Sequence, residues 1–566
     1  MTQPLLEIRD LAVAFRRNGE WTTAVDRANL SVLPGETVAI VGESGSGKST
    51  TAHSIVGLLP GSGRITGGQI LFDGRDLAQL RGSALESVRG RQIGFVPQDP
   101  MSNLNPVWSI GFQVRETIRA NGIASTRDEV RRASIDVLER AGLHDAENRL
   151  HQFPHQFSGG MRQRVLIGLG LSGHPRLLIA DEPTSALDVT VQKTVLDHLQ
   201  TLTRRDRTAL LLITHDLGLA AERAESVVVM YRGQVVESGP AHEVLANPVH
   251  PYTQRLVAAA PSIASRRIQR GSTPSAESLQ PSAVAPVDLI SIAERKASAA
   301  GAAEEPLIRF QSVTKRFPVR SNGRSTVFTA VDDASFEVRK GSTMALVGES
   351  GSGKSTAARM LLRLEVPDAG TITIGGRDIA AARGRELVAL RSRMQPVFQD
   401  PYGSLDPLAS IGATIAEPLN VHHVGSRASR RARVREILDQ VALPSGVIDR
   451  FPNELSGGQR QRVAIARALA LRPEIVVLDE AVSALDVLVQ AQILDLLAEL
   501  QSELGLTCLF ITHDLAVVRV IADDVSVMRA GRIIESAPTD DIFANPRTDY
   551  TRALLDAIPG AGIPIS

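Results

Sequence analysis

The residues whose types and spacing most clearly indicate a chemical role lie in a ten-residue stretch that occurs twice, at Val41–Thr50 and Val347–Thr356. Both copies match a phosphate-binding loop, in which spaced glycines precede Lys-Ser. Glycines let successive backbone N–H groups point at phosphate oxygens, and the following helix favours the same negative charge. The lysine would reach the β- and γ-phosphates, and the serine hydroxyl would hold Mg²⁺. The predicted nucleotide-binding residues are Gly42, Ser44, Gly45, Gly47, Lys48, Ser49, Thr50, Gly348, Ser350, Gly351, Gly353, Lys354, Ser355 and Thr356.

An apolar run that ends in an Asp-Glu pair occurs in each half of the chain. Such a run is typical of a buried parallel strand, and ligands bind at the carboxyl ends of parallel strands. Asp181 and Asp479 are therefore predicted to hold Mg²⁺, and Glu182 and Glu480 to polarise an attacking water. An isolated acidic pair is more often a solvated turn. Here, however, both pairs lie at the same distance from a preceding Ser-Gly-Gly and a following Thr-His-Asp.

The elements around these motifs indicate a tandem repeat. From the Ser-Gly-Gly motif onward the offset between the two halves is constant, and their length differences lie before it. A β-rich run leads into each glycine loop, as the motif requires. The predicted strands are Leu5–Phe15, Thr37–Val41, Leu177–Ala180, Ala209–Ile213, Leu307–Phe317, Thr343–Val347, Ile475–Leu478 and Thr507–Ile511. Helices are predicted within Asn105–Gln156 and Asp406–Asn453, and closing hairpins at Arg232-Gly233 and Ala530-Gly531.

Length and composition limit the possible classes of protein. A chain of 566 residues is too long to fold around a single hydrophobic core. Basic and acidic residues number 62 each, so there is no net positive charge that would attract nucleic acid. Cys508 is the single cysteine, which excludes an intrachain disulfide and an iron–sulfur cluster. No apolar run is long enough to span a membrane, and the first residues lack a signal-peptide pattern. We expect a protein that contacts membranes only through partners.

The predicted boundaries follow from composition. Residues 1–261 and 306–566 form the two repeated domains, and residues 262–305 between them are rich in Ala, Ser and Pro. A short helix is predicted at Val287–Lys296. The remainder of this segment has too little apolar surface to offset its ordering entropy, so we expect a flexible linker.

The order of the motifs resembles that of the ATP-binding cassette (ABC) ATPases. In the first half the order is glycine loop, Gln98, Phe157-Ser-Gly-Gly-Met161, Asp181-Glu182, Ser185-Ala-Leu-Asp188 and His215. The second half repeats it with Gln399, Leu455-Ser-Gly-Gly-Gln459, Asp479-Glu480, Ser483-Ala-Leu-Asp486 and His513. The resemblance implies an α/β fold with two tandem nucleotide-binding domains. Each would contain a mixed β core, an α-helical subdomain and a C-terminal extension, and would hydrolyse ATP with Mg²⁺.

The resemblance also implies that each ATP is sandwiched between the two domains. The loop and acids of one domain would face the Ser-Gly-Gly motif of the other, so that Lys48 pairs with Ser456 and Lys354 with Ser158. The resemblance adds further site residues. His215 and His513 would be catalytic, Gln98 and Gln399 would join Ser49, Asp181, Ser355 and Asp479 at the metal, and Phe15 and Phe317 would stack on adenine. The ATP-contacting residues of the motif would be Ser158, Gly159, Gly160, Ser456, Gly457, Gly458 and Gln459.

Purely structural roles are the alternative for several of these residues. A histidine after a strand is more often a hydrogen-bonded polar residue than a catalyst. Gln98 and Gln399 could simply begin helices, and an aromatic residue at a strand end equally often belongs to the hydrophobic core. Departures from the family pattern are small: Met161 replaces Gln, and Ala481-Val482 replaces Pro-Thr. Since both catalytic acids are present, both sites are expected to hydrolyse ATP.

The segment after each closing hairpin suggests a branch of the family. Asn247-Pro-Val-His-Pro-Tyr252 and Asn545-Pro-Arg-Thr-Asp-Tyr550 look like the C-terminal extension of oligopeptide, dipeptide and nickel importer ATPases. This implies an ATPase at the cytoplasmic face of the membrane that works with two permease subunits and an extracytoplasmic solute-binding protein. Glutathione, nickel or another small solute is the alternative cargo. The extension could instead be a cap on the sheet edge.

Two other classes of protein remain as rivals. One is a twin-cassette ATPase that acts on ribosomes or DNA, which the Ala/Ser/Pro-rich linker, the single cysteine and the zero net charge disfavour. The other is a regulatory twin cassette that binds ATP without hydrolysing it, which the complete acid pairs oppose.

Overall fold

The computed structural model describes residues 3–17, 19–184, 187–261, 306–321, 324–483 and 485–560. They form two compact units, the first built mainly from residues before 264 and the second mainly from residues after it. The linker predicted at 262–305, with its helix at Val287–Lys296, lies outside the described residues.

The first unit contains ten strands and eleven α-helices among its described residues. The strands are β1 (Leu6–Arg17), β2 (Glu20–Val32), β3 (Thr37–Val41), β4 (Arg64–Phe72), β5 (Arg75–Asp76), β6 (Ile93–Val96), β7 (Leu177–Asp181), β8 (Ala209–Ile213), β9 (Ser226–Tyr231) and β10 (Gln234–Pro240). The helices are α1 (Lys48–Ile55), α2 (Ser83–Glu86), α3 (Pro100–Asn103), α4 (Ile110–Ala120), α5 (Arg127–Arg140), α6 (Ala146–Arg149), α7 (Gly159–Leu171), α8 (Val189–Asp206), α9 (Leu217–Arg223), α10 (Ala241–Ala246) and α11 (Pro251–Ala259).

Two sheets form this unit. Strands β2-β1-β4-β5 make an antiparallel sheet, and β10-β9-β3-β8-β7-β6 make a second sheet that is parallel except for the β9–β10 hairpin. The parallel strands are short apolar runs because both faces of the sheet are covered. On β3, Val38 and Ile40 pack with α1 and the antiparallel sheet, whereas Ala39 and Val41 pack with α9, α10 and α11. Helix α1 therefore lies in the main core, directly after the glycine loop.

A separate apolar core joins the middle helices to the far part of the parallel sheet. Leu178, Ala180 and Leu212 of the sheet pack in one cluster with Ile110, Val114 and Ile118 of α4 and Val165 of α7. The helices predicted within Asn105–Gln156 are thereby confirmed. Because α7 begins at the Ser-Gly-Gly motif, this helical region carries that motif.

The second unit repeats the arrangement. Its strands are β11 (Ile308–Ser321), β12 (Arg324–Val338), β13 (Thr343–Val347), β14 (Ala369–Ile374), β15 (Arg377–Asp378), β16 (Met394–Val397), β17 (Ile475–Asp479), β18 (Thr507–Thr512), β19 (Asp524–Arg529) and β20 (Arg532–Pro538). Its helices are α12 (Lys354–Leu361), α13 (Gly384–Arg393), α14 (Pro401–Ser404), α15 (Ile411–Val421), α16 (Arg427–Gln440), α17 (Gly457–Leu469), α18 (Val487–Leu504), α19 (Leu515–Ile521), α20 (Thr539–Ala544) and α21 (Asp549–Asp556).

The second pair of sheets has the same strand order, β12-β11-β14-β15 and β16-β17-β18-β13-β19-β20. The predicted strands and both closing hairpins are confirmed, with β1 and β11 running a few residues further than expected. Cys508 is buried on β18, the strand that was predicted at Thr507–Ile511.

Candidate active site

The glycine loop of the first unit connects β3 to α1, and its geometry requires glycine. Gly42 has a φ of 147°, and a Cβ there would lie 2.2 Å from the carbonyl oxygen of Met230. Gly47, in the left-handed region with a φ of 105°, caps the start of α1. Each position therefore excludes a larger residue because of both backbone conformation and space.

Lys48 is buried inside this loop. Its Nζ donates hydrogen bonds to the carbonyl oxygens of Gly42 at 2.7 Å and Glu43 at 2.8 Å. Burial lowers the pKa of Lys48, while the carboxylates of Glu182 and Asp181 act in the opposite direction. The two carbonyl contacts therefore fix the Lys48 ammonium group within the glycine loop.

Ser49 and Asp181 come together from distant parts of the chain. The Ser49 Oγ donates to Oδ1 of Asp181 at 3.0 Å. Burial raises the pKa of Asp181, although the hydrogen bond from Ser49 partly opposes this. A hydroxyl and a carboxylate at this distance are oxygen donors of the kind that Mg²⁺ prefers.

Glu182 receives two partners. Gln98 donates from Nε2 to Oε2 at 2.8 Å, and Nδ1 of His215 lies 3.3 Å from Oε1. Burial alone would raise the pKa of Glu182, but the hydrogen bond and the charge of His215 lower it, and the pKa of His215 is raised in turn by the carboxylate despite its burial. Glu182 also has a φ of 44°, a strained conformation for a non-glycine residue that is concentrated at functional sites.

The second unit reproduces each of these relations. Lys354 Nζ donates to Gly348 O at 2.7 Å, and Ser355 Oγ donates to Asp479 Oδ1 at 3.2 Å. Glu480 accepts from Gln399 at 2.6 Å and lies 3.3 Å from His513. Glu480 is also in the left-handed region, with a φ of 49°. The two sets of predicted residues therefore assemble in the same way.

Each Ser-Gly-Gly motif lies at the start of a helix. Ser158 caps α7 by accepting a hydrogen bond from the N–H of Met161 at 3.3 Å, and Ser456 caps α17 in the same way. Gln459 additionally accepts from the N–H of Ser456 at 3.0 Å. The glycines of the first turn leave backbone N–H groups at a helix N-terminus, which suits an anion.

The two phenylalanines predicted to stack on adenine lie on the first strand of each unit. Phe15 is half-buried on β1 against the core, and the Lys315 ammonium lies 5.2 Å from the ring centre of Phe317 on β11. Their stacking on adenine stays a prediction. In the Ser-Ala-Leu-Asp motifs, Ser185, Ala186 and Ala484 lie outside the described residues. No group of three or more His, Cys, Asp or Glu that could hold a metal ion occurs among the described residues.

Tyr252 and Tyr550 have a role that the sequence did not indicate. They marked only a branch of the family, yet each hydroxyl accepts a hydrogen bond from the glycine loop of its own unit, at Glu43 and Glu349. The available signal was the occurrence of a tyrosine after Asn-Pro at the same place in both repeats.

Comparison with known families agrees with this geometry. The family model for ABC transporters matches residues 25–185 and 331–483, and the model for the oligopeptide/dipeptide transporter C-terminal region matches 236–282 and 534–566. The chain therefore belongs to the ABC transporter family, as a protein with two cassettes in one chain. It binds ATP and is an ATPase.

Relatives align along almost the whole chain. The peptidoglycan transport ATP-binding protein YejF of Agrobacterium fabrum is 44% identical, covering 98% of this chain and 96% of its own. The glutathione import ATP-binding protein GsiA of Pectobacterium atrosepticum is 44% identical over 98% and 90%. The oligopeptide transport ATP-binding protein OppD of Mycobacterium tuberculosis is 40% identical over 98% of both chains. Within the described residues, no helix has the length and apolar character needed to cross a membrane.

Proposed function

We propose that this chain powers the import of oligopeptides or dipeptides through a membrane ABC transporter. The observation that carries the proposal is the oligopeptide/dipeptide transporter C-terminal region, which follows both cassettes. Two permease subunits hold the chain at the cytoplasmic face of the membrane, and an extracytoplasmic binding protein delivers the peptide. Import names among full-length relatives support the direction of transport.

Each nucleotide site is prepared for hydrolysis by its own residues. Lys48 neutralises phosphate charge, and Glu182 polarises the attacking water, with its carboxylate oriented by Gln98 and His215. Mg²⁺ would be held by Ser49, Gln98 and Asp181 in the first unit and by Ser355, Gln399 and Asp479 in the second. When bound, it neutralises charge that develops on the phosphates.

We further propose that each site is completed by the Ser-Gly-Gly motif of the other cassette. The helix N-termini at Ser158 and Ser456 present backbone N–H groups and a hydroxyl suited to a γ-phosphate. Closure around ATP and reopening after hydrolysis would then couple both sites to the permeases. Because one chain carries both cassettes, the linker sets their effective concentration.

The permeases are proposed to dock beside Gln98 and Gln399. In the second unit, a groove of about 650 Å³ lies between the Gln399 segment and α15, and its lining includes Gln399, Pro418 and Arg467. Val421, at the end of α15, also lines this groove and is 67% exposed. A short amphipathic helix from a permease would fill such a groove with its apolar face and reach the glutamine that is bonded to Glu480.

The corresponding part of the first unit also exposes apolar side chains. Met101, Val107 and Trp108 are among its exposed residues, and the rings of Trp108 and Phe112 meet edge to face at 4.7 Å. Exposed clusters of this kind mark interaction surfaces. A contact here would act on Gln98, which bonds Glu182.

The test is peptide uptake in cells or vesicles that contain the chain with its permeases. Val421→Asp should abolish uptake of a labelled peptide and stimulation of ATPase by the permeases, while the unstimulated ATPase of the isolated chain stays at the wild-type level. Val388→Asp, at a residue that is 53% exposed on α13, is the matched control and should transport normally. Normal uptake by Val421→Asp would refute the docking site.

Glutathione is the second candidate cargo, because a glutathione import ATP-binding protein is 44% identical over 98% of this chain. Labelled dipeptide, tetrapeptide and glutathione should be compared in the same assay. Uptake of glutathione alone would replace the proposed substrate class, and uptake of none of them would refute peptide import.

A further inference from the structure

Each C-terminal extension reaches back to the ATP-binding loop of its own unit. In the first unit the Tyr252 hydroxyl, on α11, accepts a hydrogen bond from the backbone N–H of Glu43 at 3.0 Å. In the second unit the Tyr550 hydroxyl, on α21, accepts from the N–H of Glu349 at 3.1 Å. The contact is therefore present twice, at equivalent positions of the repeat.

The peptide group that bonds the tyrosine also bonds the lysine of the glycine loop. The N–H of Glu43 and the carbonyl of Gly42 belong to one peptide plane, and that carbonyl accepts from Lys48 Nζ at 2.7 Å. Gly348 and Lys354 repeat the arrangement at 2.7 Å. Hydrogen bonds in such a chain polarise one another, so the phenol oxygen strengthens and orients the acceptor of the lysine.

The tyrosine ring is held rigidly in the first unit. Tyr252 is 1% exposed and packs in one core cluster with Val41, the residue before Gly42, and with Leu256. Its ring stacks on Tyr231 with centroids 4.2 Å apart. In the second unit the group over the Tyr550 ring is instead the guanidinium of Arg529, at 4.7 Å. The surroundings of the ring differ between the units, whereas the bond from the hydroxyl to the loop is the same.

A buried or half-buried carboxylate fixes the turn that precedes each tyrosine. Glu237 on β10 accepts from the N–H groups of Val249 at 2.9 Å and His250 at 3.0 Å. Glu535 on β20 accepts from the equivalent pair, Arg547 and Thr548. Strands β10 and β20 belong to the same sheets as β3 and β13, which lead into the glycine loops. The carboxylate on each strand therefore helps to fix the position of the tyrosine relative to the loop.

We propose that Tyr252 and Tyr550 are positioning residues of the two ATP sites. Through one peptide plane each hydroxyl orients the carbonyl that aims the lysine ammonium at the phosphates. The C-terminal extension thereby sets nucleotide affinity. The proposal concerns ATP binding and holds whichever solute is transported.

The test uses the full chain with Tyr252→Phe, Tyr550→Phe and both together. Phenylalanine keeps the ring in its pocket but leaves the loop N–H without its acceptor. ATP binding is titrated by calorimetry with magnesium withheld, so that hydrolysis does not consume the nucleotide. We expect the double variant to bind ATP roughly 5- to 20-fold more weakly, as the loss of one such hydrogen bond per site predicts. The KM for MgATP should rise more than kcat falls.

The single variants keep the proposal testable if the double variant folds poorly. Each should give two classes of site in one titration, one at the wild-type affinity and one weakened, because the unaltered site is an internal reference. Tyr231→Phe is the matched control, because it removes the phenol oxygen from the ring that stacks on Tyr252. It should leave the ATP affinity of both sites unchanged. Wild-type affinity and KM in the double variant would overturn the proposal. A lowered melting temperature with unchanged ATP affinity would show a purely structural role and would overturn it as well.

Discussion

The side-chain amide of Gln98 donates a hydrogen bond to the carboxylate of Glu182, with Nε2 and Oε2 lying 2.8 Å apart. The segment that begins at Gln98 leads directly into the exposed apolar residues around Trp108. A protein that binds those residues would therefore act on a neighbour of Glu182, which we propose as the catalytic acid. The equivalent bond between Gln399 and Glu480 gives the second unit the same connection.

Replacement of the catalytic acids should stop hydrolysis without preventing ATP binding. Glu182→Gln and Glu480→Gln keep the side-chain shape but remove the charge that polarises water. We expect each single variant to lose much of its ATP turnover and the double variant to lose roughly 100-fold or more. A phosphate-release assay measures this. Glu243→Gln, at a side chain that is 67% exposed, should be as active as the wild type. Undiminished turnover in one single variant would remove that glutamate from catalysis.

The proposed sharing of sites between the cassettes can be tested when one acid is disabled. In a Glu480→Gln background the remaining hydrolysis depends on Glu182. Ser456→Ala should then lower turnover roughly tenfold, because a phosphate ligand of that site is lost, while Ser158→Ala has a smaller effect. A Glu182→Gln background should reverse the ranking. The opposite ranking in both backgrounds would show that each cassette uses its own motif.

The two motif helices should differ in stability at their N-termini. Gln459 bonds back to the N–H of Ser456 at 3.0 Å and completes a capping box, whereas Met161 offers no such acceptor to Ser158. We expect Met161→Gln to stabilise the first unit by roughly 0.5 kcal/mol and Gln459→Met to destabilise the second by a similar amount. Urea unfolding measures both changes. Met161→Leu is the control and should give no gain, and a gain equal to that of Met161→Gln would contradict the capping explanation.

Acid should loosen the C-terminal extensions. Burial would raise the pKa of Glu535, but hydrogen bonds from the Thr551 hydroxyl and two backbone N–H groups hold it below the ordinary 4.5. A carboxyl whose pKa is lowered by folding contributes stability above its unfolded value, and this is lost as the pH falls through the folded value. We therefore expect the melting temperature to decrease as the pH is lowered below about 4.5, and to decrease less steeply in Glu535→Gln. Parallel curves for the variant and the wild type would refute this role of Glu535.

Much of the chemistry could be predicted from sequence because it depends on local patterns. The glycine loop works through the backbone of consecutive residues, and Gly42 and Gly47 indeed adopt the positive φ that the motif needs. The repeat, the strand Thr37–Val41 and the acids at the end of β7 can likewise be recognised in short stretches of the chain. The sequence alone therefore identifies Lys48, Ser49, Asp181 and Glu182 as candidate site residues.

Tertiary structure alone decided which of these groups touch. Neighbouring strands in the sheet are not neighbours in sequence: the order β3-β8-β7-β6 brings Lys48, His215, Asp181 and Gln98 to one edge. The contact between Tyr252 and Glu43 joins residues 209 positions apart, and the repeated tyrosine after Asn-Pro does not indicate which group its hydroxyl contacts. Local patterns follow from the conformational preferences of a few residues, whereas such contacts follow from how the sheet and the extension pack around one core, which no short stretch of sequence encodes.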